Sequence, residues 1–82
     1  MKQVQWTGPA LDDMAALDQG IARRVKRAVE RFAGAGAGDV KRLQGIDPPE
    51  YRLRVGDYRV RFHQDGDTVY VLRVRNRREA YR

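Results

Sequence analysis

Eighty-two residues are enough for one small domain with one core, and a chain this short buries only about 60% of its unfolded surface. Seventeen basic against eleven acidic side chains leave a formal net charge of +6, which favours nucleic acid, an anionic membrane surface or an acidic protein as partner. The absence of cysteine excludes disulfides and thiolate metal sites, and one histidine without a carboxylate cluster argues against any metal. MKQVQWTGPA lacks the apolar run of a signal peptide, and no segment approaches the roughly 20 apolar residues of a membrane span; the expectation is a cytoplasmic protein with no cofactor and no membrane partner.

Residues 2–6, KQVQW, alternate and predict a short strand with Val4 and Trp6 inward. Thr7-Gly8-Pro9 is a helix entry, with Thr7 or Gly8 capping and Pro9 tolerated in the first turn. Leu11, Met14 and Leu17 follow at helical spacing, with Asp12 and Asp13 near the positive end of the helix dipole. After a break at Asp18-Gln19-Gly20, a second helix is predicted from Gln19 to Ala33, its stripe formed by Ile21, Val25, Ala28, Val29 and Phe32. Arg23, Arg24, Lys26, Arg27 and Arg31 cover the other side, and the two helices should form a hairpin. GAGAG ends the second helix; because its glycines follow a helix rather than a strand, it is a connector and not a phosphate-binding loop. In DVKRLQGIDPPE, Leu43 and Ile46 are expected as core anchors and Asp47-Pro48-Pro49 as a rigid lead-in.

YRLRVGDYRVRF, residues 51–62, is a hairpin if Gly56-Asp57 is its turn, and a leading glycine suits type II′. Tyr51, Leu53, Val55, Tyr58, Val60 and Phe62 then share one face, and Arg52, Arg54, Arg59 and Arg61 the other. That register opposes Arg54 to Arg59 and Arg52 to Arg61, a like-charge arrangement that costs a few tenths of a kcal/mol or more. A solvated outer face is one explanation, with arginine stems covering the sheet. A face built for a polyanion is the other, and arginine suits it through its bidentate fork and its stacking on bases. A turn near Asp65-Gly66-Asp67 precedes a strand over 68–75, TVYVLRVR, whose middle is apolar on both sides as in a covered central strand. The order βααβββ predicts an α+β fold with the helix hairpin on one face of an antiparallel sheet. Arg73 and Arg75 of the last strand join the arginine face. Tyr51, Tyr58, Tyr70 and Trp6 read as core or rim residues. His63 falls on the arginine face at a strand end.

DVKRLQG, YRLRVGDYRVRF and VLRVRNRREAYR, in this order behind a strand and a helix pair, resemble the RelE/ParE superfamily of bacterial toxins, its RelE branch above all, over essentially the whole chain. The resemblance implies a ribosome-dependent endoribonuclease that cuts mRNA in the A site and is held inactive by a cognate antitoxin. It puts Arg59 at the family's catalytic arginine and Arg77 at a second one. It puts Tyr81 at the tyrosine that activates the nucleophile, and Arg52 and Arg54 at positions gripping RNA, where Arg61, Arg73 and Arg75 extend the basic surface. Attack by an RNA 2′-hydroxyl needs a base, charge stabilisation at phosphorus and a proton for the leaving oxygen. Arginines supply the second, and clustered cations favour a tyrosine phenolate for the first. Asn76 stands where relatives often carry histidine. Two other readings remain open: a ParE-like inhibitor of DNA gyrase on the same scaffold, or a catalytically decayed toxin that only binds.

Overall fold

The computed structural model describes residues 1–78. Seven elements follow one another: β1 (Gln3–Trp6), α1 (Gly8–Ala15), α2 (Gln19–Ala35), β2 (Asp39–Leu43), β3 (Glu50–Val55), β4 (Tyr58–Asp65) and β5 (Thr68–Asn76).

Local chemistry sets the helix ends. Thr7 caps α1: its Oγ1 accepts from the Ala10 N–H at 3.4 Å and donates to the Val71 carbonyl at 2.8 Å, so the same residue ties the helix to β5. Ala10, not Leu11, is the buried residue of α1, and Leu11 stands 55% exposed. On a helix of 3.6 residues per turn, positions 10, 14 and 17 stay on one face, whereas the spacing 11, 14, 17 drifts around the axis. Met14 and Leu17 therefore pack on the core with Ala10. In α2, Asp18 accepts from the Gly20 N–H at 3.0 Å, and Gly36, at φ +69°, takes the left-handed C-terminal position. Val25, Val29 and Ala33 are its buried positions, and the helix runs two residues beyond Ala33.

The sheet order is β1-β5-β4-β3-β2. The α+β class and the helices on one face stand, and two features extend the expected βααβββ order. Residues Asp39–Leu43 form an additional strand, antiparallel to β3, where core anchors but no strand were expected. β1 pairs parallel with β5, from Gln3↔Thr68 to Trp6↔Val71, so the sheet is mixed. Pairing of the first strand with the last is a non-local choice that alternation within either segment does not encode.

The hairpin register is the expected one, Arg54↔Arg59 and Arg52↔Arg61 around Gly56-Asp57. Gly56 has φ +58° and no non-glycine residue among the described residues has positive φ, Asp57 included, as a type II′ turn requires. A register shift at Arg61/Phe62 sets Phe62 opposite Val71 but Arg61 opposite Arg73. The bulge lets Val71 and Val74 both reach the core and leaves half-buried Leu72 between them. This accounts for the apolar run in the middle of β5.

Leu53, Val55, Val60, Phe62, Val69, Val71 and Val74 meet Ala10, Val25, Val29 and Ala33 in a single cluster, with Val4, Trp6, Tyr51 and Tyr58 packed at its margin. Phe62 is its centre, with ring centroids 5.1 Å from Phe32 and 5.5 Å from Tyr51. Each such buried side chain contributes about 1.5–3 kcal/mol. Ile46 is not part of it: in the loop between β2 and β3 it remains 37% exposed. No helix among the described residues is long and apolar enough to cross a membrane.

Candidate functional site

With α1 and α2 on one face, the strand positions of opposite parity form the other, open face. Across it run two register-locked rows, Arg54↔Arg59↔Arg75 and Arg52↔Arg61↔Arg73. Antiparallel pairing thus crowds six cations from three adjacent strands onto one surface, as the alternation predicts.

Their environments differ. Arg54 is exposed, whereas Arg59 is 8% exposed, the one buried charged side chain among the described residues. It lies between Arg54 and Arg75 in register. Its Nη1 donates to the carbonyls of Gly56 at 2.8 Å and Tyr58 at 3.0 Å, so the group that closes the hairpin turn also lines the open face. The second row is largely engaged. Arg61 donates to the Glu50 carboxylate, through Nε at 3.0 Å and through Nη2. Arg73 forms a fork on Asp13 of α1 at 2.9 and 3.1 Å, and the Asp13 carboxylate also accepts from the Val74 N–H at 2.9 Å. The like-charge repulsion expected for a bare arginine face is therefore partly relieved inside the protein by two acids from outside the arginine motif.

Between β2, β3 and β4 lies a cleft of about 140 Å³ lined by Asp39, Lys41, Arg52, Arg54 and Arg59. Lys41 and Asp39 were absent from the sequence-based set because no strand was expected over their segment. Their shared parity, two residues apart, was the available signal. Arg75 and Arg77 line a different and larger cavity, about 600 Å³, bounded by Asp13, Tyr58 and Asn76. The Arg77 backbone N–H donates to the Asp57 carbonyl at 2.7 Å and its side chain is exposed. Tyr81 lies outside the described residues.

The open face also carries aromatic groups. Tyr70 sits opposite His63 in register, on the face away from Val69 and Val71, which corrects its expected place on the apolar side. His63 Nδ1 is 2.9 Å from the Pro49 carbonyl, so that nitrogen holds the proton and donates.

Chemically, a narrow cleft with one lysine and three arginines against a single carboxylate can hold a phosphodiester bidentately and stabilise charge on it.

Three comparisons bear on this arrangement. Residues 4–81 match the family model described as the ParE toxin of a type II toxin–antitoxin system. Toxin RelE3 of Methanocaldococcus jannaschii is 32% identical over 66 residues, 74% of each chain. Among solved structures, the RelB–RelE antitoxin–toxin complex from Methanococcus jannaschii superposes with a TM-score of 0.77 at 26% identity, covering 94% of both chains. The archaeal RelE–RelB complex from Pyrococcus horikoshii OT3 reaches 0.78 at 22% identity, covering 96% of this chain and 98% of the other, a likeness of fold. A family match over nearly the whole chain, joined to a RelE relative and to the RelE fold, means that the chain belongs to the ParE toxin family of type II toxin–antitoxin systems and is a RelE-like toxin.

Proposed function

We propose that the chain is a ribosome-dependent endoribonuclease that cuts mRNA in the A site, acting in the cytoplasm and neutralised by a cognate antitoxin. The observation that carries the reading is the pair of arginine rows locked across β3, β4 and β5 on the face the helices leave open. Net charge alone would be met by scattered lysines. Convergence of guanidinium groups on a cleft lined by Arg52, Arg54, Arg59 and Lys41 supports phosphate as the ligand.

In this reading the 2′-oxygen of the RNA bonds to the adjacent phosphorus while the bond to the 5′-oxygen breaks, leaving a cyclic phosphate and a free 5′-hydroxyl. Arg59, already fixed by two backbone carbonyls, stabilises the charge that develops on the phosphorus oxygens. Arg52, Arg54 and Lys41 grip the flanking backbone, with Arg61, Arg73 and Arg75 extending the surface. Tyr81, as phenolate, takes the 2′-hydroxyl proton, Arg77 stabilises the charge on the departing oxygen, and water supplies the proton that makes it a hydroxyl. Positioning by the ribosome supplies the orientation that so weak a set of acids and bases lacks. RelE relatives have been crystallised with RelB antitoxins, which supports an acidic antitoxin segment as the natural competitor for the arginine face.

Purified protein mixed with programmed ribosomes should cut mRNA in the A site, and the Arg52→Ala, Arg54→Ala double variant should lose roughly 10²- to 10³-fold in rate. A folded wild-type sample that cuts at no codon tested overturns the proposal. The ParE description of the matching family supports a second reading, gyrase inhibition; gyrase-dependent DNA breaks with intact translation would select it.

A further inference from the structure

We propose that the basic flank of α2 is a second phosphate-binding surface, one that holds the backbone of the same RNA strand that enters the sheet cleft; the proposal rests on the ribonuclease reading. Arg23, Arg27 and Arg31 follow one another at four-residue intervals and form one ridge, with charges about 6 Å apart along the helix axis. Arg24 stands beside them and reaches the hairpin turn, where a Cβ built on Gly56 would come within 2.8 Å of its Nη2. All four are exposed, and none joins an ion pair among the described residues, in contrast to Arg61 and Arg73. The one acid of α2, Glu30, stands three residues after Arg27 and lines a different groove with Lys26, near Val4 and Trp6. The groove bordered by Arg23, Arg24, Arg27 and Arg31 is thus lined by no acid among the described residues, whereas Glu30 borders the other groove.

The arginine-bordered groove, about 610 Å³, lies between α2 and the end of β3, floored by Ala28, Leu53 and Val55. Arg54 lines this groove and also the sheet cleft. A polyanion gripped at Arg52 and Arg54 therefore continues past the hairpin turn onto the α2 ridge without leaving positive surface. Charges of one sign at regular intervals suit a backbone with one charge per nucleotide, and single-stranded sites of this kind typically span about 4–16 nucleotides. Continuity with the cleft decides for RNA over an acidic protein segment.

The test compares wild type with the Arg23→Gln, Arg27→Gln, Arg31→Gln variant, glutamine preserving helix propensity. Binding is read by fluorescence anisotropy with 2′-O-methyl RNA, which lacks the nucleophile and stays uncut, in lengths of about 4 and about 12 nucleotides. Both proteins should bind the short oligomer within twofold of each other. For the long one, the variant should bind at least tenfold more weakly, and its slope of log affinity against log salt should be shallower by about 2, three lost phosphate contacts at about 0.7 each. Equal long-oligomer affinity and slope in two proteins of equal melting temperature overturns the proposal, and A-site cleavage retained by the wild type then leaves the ribonuclease reading standing. A wild type that neither binds these oligomers nor cuts ribosome-bound mRNA overturns both.

Discussion

Arg54 and Arg59 face each other across one hairpin and carry the same guanidinium, yet their roles in the fold are opposite. Alternation assigned both to the open face and was right about the face. It was silent about depth, because depth depends on which strands flank the residue: Arg59 has Arg54 on one side and Arg75 on the other, whereas Arg54 is exposed beside Asp39 of β2. Loss of activity in an Arg59→Ala variant alone would therefore be ambiguous. Removing that side chain also removes two charge-assisted hydrogen bonds to the Gly56 and Tyr58 carbonyls. The expected cost is about 2 kcal/mol, visible as a lower urea midpoint with unchanged slope. Arg54→Ala, at an exposed position, should stay within about 0.5 kcal/mol of wild type in the same measurement and still lose cleavage. If the two variants unfold at the same urea concentration, the turn-closing role of Arg59 is wrong. Gly56 is constrained from two directions: its φ of +58° disfavours a Cβ, and Arg24 occupies the space a Cβ would need. Gly56→Ala should accordingly destabilise by about 1–2 kcal/mol, and the added Arg24→Ala change should recover part of that loss in a double-mutant cycle.

Among elements, β2 and β5 explain where sequence reading stopped short. In DVKRL only Val40 and Leu43 are apolar, so neither a strand nor a helix period stands out. The strand exists because β3 offers it a free edge, and Asp39, Lys41 and Arg42 keep that edge from pairing with other chains. In β5 the bulge breaks strict alternation, so that Val71 and Val74 both face the core while Arg73 stays opposite Arg61, where α1 takes hold of it. Asp13 appeared in sequence as a favourable charge near a helix start; in the fold it is a clamp, its carboxylate shared between the Arg73 guanidinium and the Val74 N–H. Asp13→Ala leaves both without their partner and should cost about 3 kcal/mol. Asp13→Asn keeps an acceptor for Val74 and should cost roughly half as much. Equal losses for the two variants in chemical denaturation would show that the backbone bond contributes nothing to the clamp. Freeing Arg73 this way should also raise affinity for RNA, since a cation now neutralised within the chain would be returned to the open face.

For the molecule as a whole, a net charge of +6 on 82 residues is concentrated rather than spread. The open face carries the two arginine rows, the α2 flank carries four more arginines, and Glu50 and Asp13 engage Arg61 and Arg73 of the second row. Legibility follows the same division. Hairpin register and the convergence of positive charge could be read from local alternation, but which charges are compensated could not, because Glu50 and Asp13 reach their partners from other elements. Such a charge distribution opposes folding when the chain is alone. At about 10 mM salt the Debye length is near 30 Å and every arginine on a face feels the others; at about 150 mM it is near 8 Å and only register neighbours interact. Melting temperature should therefore rise by several degrees between those two salt concentrations, against the small change expected of a balanced surface. A fixed ionic strength made up with a polyanion such as heparin should raise it further than sodium chloride does, because a multivalent ligand bridges both rows while sodium chloride only screens them. Replacing Arg52 and Arg54 by glutamine should flatten the salt response and remove most of the heparin effect. Identical melting curves in low salt, high salt and heparin would mean that the arginines are already balanced within the fold and that no polyanion is needed to relieve them.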